Sequence, residues 1–254
     1  MNSTLDRSSN NISSINKSNI TKYKIFVDLD GVLVDFEGGV RKLFPNVNSS
    51  SEISLKRLWS RVATVPNFFA NLHWTNDGQL LWNTLLDNCS LHKSDASFDV
   101  PDILTGIPMN KAARSQKYTW CRRQLARSNI QISHADYAAP KQEHRCIAGQ
   151  RLSNHNRVNV ITCWSKNKHL ESKAQCILID DRGDHKNLRK NWEAKGGIFI
   201  QHNDAETTIQ KLVDIGVIDK SSANSQAEKP ELVEIESSIE RKPQHVIELL
   251  DDSD

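Results

Sequence analysis

Residues 24–36 read KIFVDLDGVLVDF, in which aliphatic and aromatic residues alternate with carboxylates until Gly31 breaks the run. The β-branched and aromatic positions around the carboxylates indicate a first strand over 23–34. Asp28 and Asp30 stand two residues apart, so a strand would put both side chains on the same side. A strand end reaching solvent and a catalytic carboxylate pair both explain such a placement, and the remaining chain has to separate them.

Downstream of Phe36 the pattern turns helical as far as about Val100. GGVRKLF, SLKRLWSRV and GQLLWNTLLDN all carry apolar residues at three- and four-residue spacing. DILTGIP (102–108) reads as a short apolar strand broken by Gly106 and Pro108, and a helix follows over roughly 111–128 with Trp120 and Leu125 inward. VNVITCW (158–164) and QCILIDD (175–181) read as two more buried strands. NLRKNWEAKGG is a helix stopped by Gly196 and Gly197. GIFIQH is the last strand, and DAETTIQKLVDIG the closing helix, with Asp204 as N-cap. Strands alternating with helices predict an α/β fold with a parallel sheet and right-handed crossovers.

The chain has 254 residues, 37% of them hydrophobic, enough for one sizeable domain or a domain with an insert. No run of about 18 apolar residues is present, and the N-terminus lacks a basic-then-apolar pattern, so neither a membrane span nor secretion is expected. Five scattered cysteines (Cys89, Cys121, Cys146, Cys163, Cys176) read as reduced thiols of a cytoplasmic or nuclear protein. Residues 221–254 hold nine acidic residues against three Lys/Arg, whereas the other 220 hold 22 against 30. That moderately basic body suits an anionic substrate.

In an open parallel sheet, ligands sit at the carboxyl ends of the strands. Here those ends carry Asp28 and Asp30, then Thr105, then Asp180 and Asp181. Four carboxylates converging on one sheet edge repel each other unless a cation lies among them. Oxygen donors without a nearby Cys/His pair point to Mg²⁺ with phosphate as co-ligand.

DLDGVLVDF, ILTGIP, SKNKH and LIDDR, in this order, resemble the haloacid-dehalogenase phosphohydrolases over about residues 23–212. Within them the chain is similar to the small 5'(3')-deoxyribonucleotidases and related phage and viral proteins. The resemblance implies a Rossmannoid core over 23–35 and 101–220, with a small helical cap (36–100) inserted after the first strand. Disordered tails are expected over 1–22 and 221–254. It implies Asp28 as the nucleophile that forms an aspartyl-phosphate, and Asp30 as general acid and base. Thr105 would bind a phosphoryl oxygen, and a lysine would neutralise its charge. Lys166 and Lys168 are the candidates, and Lys168 is preferred because NKH lies where the relatives carry Asp-Lys. Asp28, Asp30, Asp180 and Asp181 are the implied Mg²⁺ site. VPNFFANL is similar to the nucleotidase stretch whose aromatics flank the base, which makes Phe36, Phe68 and Phe69 stacking candidates. Trp74 and Trp82 are read as cap core, and Trp120, Trp164 and Trp192 as core of the body.

Two departures from the nucleotidases stand out. Thr-Gly-Ile-Pro replaces their usual Thr-Ser-Pro, and a polar stretch over 133–157 precedes the third strand. That stretch is read as a solvated loop, with Lys141, Arg145, Arg151, Arg157 and Tyr137 as the alternative, a nucleic-acid contact. His144, Cys146, His155 and Cys163 match no zinc-finger spacing. The C-terminal HVIELLDDSD resembles a SUMO-interacting motif, Val246–Leu249 supplying the strand and the following aspartates the charge. Together these features predict a Mg²⁺-dependent phosphomonoesterase acting as a 5'-nucleotidase on (deoxy)ribonucleoside monophosphates. A nucleic-acid-end phosphatase and a non-catalytic scaffold recruited to SUMO are the alternatives.

Overall fold

The computed structural model describes residues 23–108, 111–135 and 156–220. The expectations for both tails, the SUMO-like motif included, and for 136–155 lie outside these residues. So do His144, Cys146 and His155.

Six strands form one parallel sheet: β1 (Lys24–Val27), β2 (Asp102–Gly106), β3 (Gln131–Ala135), β4 (Arg157–Cys163), β5 (Cys176–Asp180) and β6 (Ile198–Gln201). Their order across the sheet is β3-β4-β2-β1-β5-β6. The helices α1 (Phe36–Leu43), α2 (Leu55–Ala63) and α3 (Gly78–Asp87) lie between β1 and β2. Next come α4 (Lys111–Gln124), α5 (Leu188–Glu193) and α6 (Ala205–Asp214). This is a Rossmannoid, haloacid-dehalogenase-like α/β architecture with helices inserted after the first strand. No helix among the described residues is long and apolar enough to cross a membrane.

The central strands are apolar runs because both faces of the sheet are covered. Along β1 the side chains alternate: Ile25 and Val27 join the larger core, while Phe26 joins a second cluster with Leu104, Leu178 and Trp192. The larger core extends without a break into the inserted helices through Val40, Leu58, Val62, Phe69 and Leu81. The closing helix begins where expected, with the Asp204 side chain accepting from the Thr207 amide at 2.7 Å.

Two expectations need correction. The first strand stops at Val27 rather than running to Val34. Residues 28–35 form a tight loop in which the Val32, Leu33 and Val34 amides all donate to the Leu29 carbonyl. Gly31, at φ +81°, supplies the backbone turn. The apolar residues of this loop are buried, so their alternation mimics a longer strand. The polar stretch beginning at Ser133 is not all loop, because Gln131–Ala135 pairs with β4 in register Ser133↔Asn159. As the last strand in the sheet order it needs little apolar surface, and its composition hid it.

β1 sits at the middle of the sheet, paired with β2 on one side and β5 on the other. The chain builds outward on the β2 side, then crosses from β4 back to β5. The reversal opens a crevice beyond the carboxyl ends of β1 and β5, where ligands bind in sheets of this kind.

Candidate active site

Asp28 is the first residue past β1, and its amide donates to the Ile179 carbonyl at 3.0 Å, which locks it to β5. Asp180 ends β5, and both carboxylates are buried. Between them lies the equally buried Lys168, from the 3-10 turn Ser165–Glu171 after β4. Its Nζ is 2.7 Å from Asp28 Oδ2 and 2.6 Å from Asp180 Oδ2. The second oxygens are held by backbone: the Leu29 amide donates to Asp28 Oδ1 at 2.8 Å, and the Arg182 amide to Asp180 Oδ1 at 2.9 Å.

Asp181 completes the group. Its side chain lies against Gly31, where an added Cβ would meet Asp181 Oδ2 at 2.2 Å. The glycine is thus needed for close approach as well as for its backbone angle. Asp28, Asp180 and Asp181 each offer a carboxylate oxygen, all within 4.8 Å of one another. Asp181 Oδ1 is buried without a hydrogen-bond partner among the described residues.

The electrostatics follow from three carboxylates sharing one ammonium. Burial pushes Asp28 up to about 6, with Lys168 pulling it back and Asp180 adding repulsion. Burial pushes Asp181 up to about 8, and the charges of Asp28 and Asp180 add to it. Burial alone would lower Lys168, but Asp180 and Asp28 hold it well above the usual lysine range. The upward shifts of the two aspartates mark a site short of positive charge. A hard divalent cation fits it: the donors are all oxygen, and one is an orphaned buried atom.

Asp30 is not brought into this group. Its carboxylate is half-exposed and takes a second buried lysine, with Lys117 Nζ 2.5 Å from Asp30 Oδ2. Lys117 also donates to Thr105 Oγ1 at 2.9 Å and to the Gly106 carbonyl at 2.8 Å. Thr105 is fully buried at the end of β2. The four aspartates and two lysines, all ionised, sum to −2, the charge that a divalent cation offsets.

Lys117 is the residue that the sequence reading missed. It lies on the inward stripe of α4 with Ala113, Trp120 and Cys121, at helical spacing. A lysine among such positions is the signal that should have marked it, since a buried ammonium requires carboxylate partners. Of the two lysines proposed from sequence, Lys168 is at the site, whereas Lys166 is exposed with its Nζ 4.8 Å from the Trp164 ring centroid. The Thr-Gly-Ile-Pro departure also has a local reason: a Cβ at Gly106 would meet Ser165 Oγ at 2.2 Å.

The three phenylalanines meet. Phe36 opens α1 half-buried and lies nearly parallel to Phe69, at 6.3 Å between centroids. Phe68 and Phe69 are buried and pack edge to face at 5.2 Å. The Phe69 ring centroid is 5.3 Å from Lys117 Nζ, and its amide donates to Gln116 Oε1 at 3.0 Å. α4 therefore ties the inserted helices to the site. Trp82 is fully buried, and Trp74 packs on Trp120 at 4.9 Å while donating to Gln124 Oε1. Of the imagined zinc set only Cys163 is described, and burial pushes its thiol up to about 12.

No family model and no curated protein matches the chain. The Rossmannoid sheet and the Asp28/Asp180/Asp181 cluster are consistent with a catalytic site of the haloacid-dehalogenase type, and they suggest a metal-dependent phosphoester hydrolase.

Proposed function

We propose that this protein is a Mg²⁺-dependent phosphomonoesterase working through an aspartyl-phosphate on Asp28, with nucleoside monophosphates as substrates. The observation that carries the proposal is the cation-deficient cluster of Asp28, Asp180 and Asp181 at the sheet's switch point. Asp28, Asp180 and Asp181 would hold the Mg²⁺, which neutralises the carboxylates and the phosphoryl charge so that anion can approach anion.

In the proposed reaction, Asp28 Oδ attacks phosphorus and the bond to the leaving ester oxygen breaks. Asp30 delivers a proton to that oxygen through Oδ1, since Oδ2 is held by Lys117. A water then attacks the aspartyl-phosphate and gives its proton back to Asp30, and inorganic phosphate leaves with Asp28 restored. Thr105 Oγ1 and the ammonium groups of Lys117 and Lys168 stabilise the developing negative charge. Residues 23–35 and 101–220 form the catalytic core in this reading, and 36–100 the cap. Phe36 offers its half-buried ring to the base, backed by Phe68 and Phe69.

The test is phosphate release from a panel of nucleoside monophosphates with Mg²⁺, for the wild type and Asp28→Asn. Turnover in the wild type and its loss in the variant are expected. Wild-type rates in Asp28→Asn would overturn the nucleophile assignment.

A further inference from the structure

Around α4 the charge is one-sided. Residues 111–135 contain six Lys/Arg (Lys111, Arg114, Lys117, Arg122, Arg123, Arg127) and not one Asp or Glu. Lys117 is accounted for by the site. Arg114, Tyr118 and Arg122 follow at successive four-residue steps, which places them on one face of the helix. Arg122 is exposed, and Arg114 and Tyr118 are half-buried. The face is flanked by β3, because the Tyr118 hydroxyl donates to the Ile132 carbonyl at 3.3 Å and its ring lies 5.0 Å from the His134 ring.

The direction of this stripe matters as much as its charge. α4 leaves the carboxyl end of β2, where Thr105 sits, and Lys117 reaches Asp30 from the neighbouring position on the helix. Arg114 lies one turn nearer the crevice, and Arg122 one turn beyond Tyr118, a run of about 12 Å along the axis. Backbone phosphates recur about every 3.4 Å along a stacked helical strand and lie further apart in an unstacked one, so this run is long enough for more than one of them. An aromatic pair between two guanidinium groups is the arrangement that tracks a single strand, with cations on phosphates and a ring for an unstacked base. A free mononucleotide at Asp28 would not extend along this stripe.

We infer that the substrate is the phosphorylated end of a single-stranded nucleic acid, its terminal phosphomonoester at Asp28 and its adjoining backbone along Arg114, Tyr118 and Arg122. This inference rests on the phosphomonoesterase reading and puts the strand end in place of the free nucleoside monophosphate as the preferred substrate.

The test uses the full chain and a fluorescent single strand of about ten nucleotides, within the usual span of strand-binding grooves. The strand carries a 5'- or a 3'-phosphate. Binding is measured by anisotropy in Mg²⁺-free buffer across a salt series, and kcat/KM with Mg²⁺ is compared with that of the matching monophosphate. The wild type prefers the strand at low salt. Arg122→Gln, at an exposed position, lowers the log–log salt slope by about 0.7, and Arg114→Gln/Arg122→Gln by about 1.4. The kcat/KM ratio of strand to monophosphate falls in both variants.

The inference is overturned if the strand binds no better than the monophosphate, or if Arg122→Gln keeps the wild-type slope and ratio. Equal competition by polyglutamate, which offers charge without bases, overturns it as well. Strand binding lost in the variants, without phosphate release from any substrate, removes the phosphomonoesterase reading and leaves the strand surface. Turnover of monophosphates without strand binding does the reverse.

Discussion

Replacing Lys168 by methionine keeps most of the side chain's volume and deletes the one ammonium shared by Asp28 and Asp180. Both contacts are short, at 2.7 and 2.6 Å, and all three residues are buried. Removing one partner of such a group leaves uncompensated charge in the interior and costs about 3–5 kcal/mol. A domain of ordinary stability holds about 5–15 kcal/mol, so the variant stands to lose a fifth or more of it. The loss depends on pH. Asp28 is already pushed up to about 6 with Lys168 pulling it down, and without that pull it rises further. A carboxyl whose folded value is raised favours the fold when protonated, and that contribution disappears as pH climbs through the folded value. The gap between wild type and variant is therefore small near pH 5 and widest near pH 8. Urea unfolding in EDTA, followed by fluorescence of the buried Trp82, Trp120 and Trp192, measures it. Mg²⁺ narrows the gap by taking over part of the lost charge. A difference under about 1 kcal/mol at pH 8, the scale of an exposed ion pair, would refute Lys168 as the central counter-ion. Lys117→Met provides the contrast. Its partner Asp30 keeps 30% of its surface in water, so a smaller loss of about 1–3 kcal/mol is expected.

Two further outcomes follow from the site. Cation binding must expel protons from Asp181, at about 8, and from Asp28, at about 6. Mg²⁺ affinity by calorimetry should therefore rise about tenfold per pH unit from 6 to 8 and level off above, and a flat profile would refute the cluster as the metal site. The phenylalanines should divide by burial: Phe69→Ala lowers stability by about 3–5 kcal/mol, as a large core deletion does. Phe36→Ala instead raises KM for nucleotides about tenfold with little change in kcat, in keeping with a stacking contribution of about 1–3 kcal/mol. An unchanged KM would return Phe36 to the core.

Much of the fold was legible because its sheet is buried on both faces. ILTG, VNVITC and CILID are short, largely apolar stretches, and α4 with its three-and-four spacing separates the first two. Local chemistry likewise marked Gly196 and Asp204 as a helix stop and start. Two elements misled for opposite reasons. Residues 28–34 look like strand because a buried loop also needs apolar side chains, and only its hydrogen bonds to Leu29 reveal the turn. QISHA looks like loop because a strand at the end of the sheet order needs few of them.

The acidic residues of the site were visible for a related reason. Strand-end carboxylates follow apolar runs directly, so position in the chain already implies position on the sheet edge. The lysines are marked more weakly, Lys168 by the order of the motifs and Lys117 only by its place among inward positions of α4. A lysine's four-carbon stem can reach water or a buried partner from the same backbone position, so such marks do not fix its partners. Asp28, Asp30, Asp180 and Asp181 were thus determined by the sequence itself as residues of one edge. That Lys168 rather than Lys166 lies between Asp28 and Asp180, and that Lys117 holds Asp30 and Thr105, was decided only by tertiary structure. Charges from separate strands and α4 meet there out of water, and their balance fixes which ammonium groups can be buried.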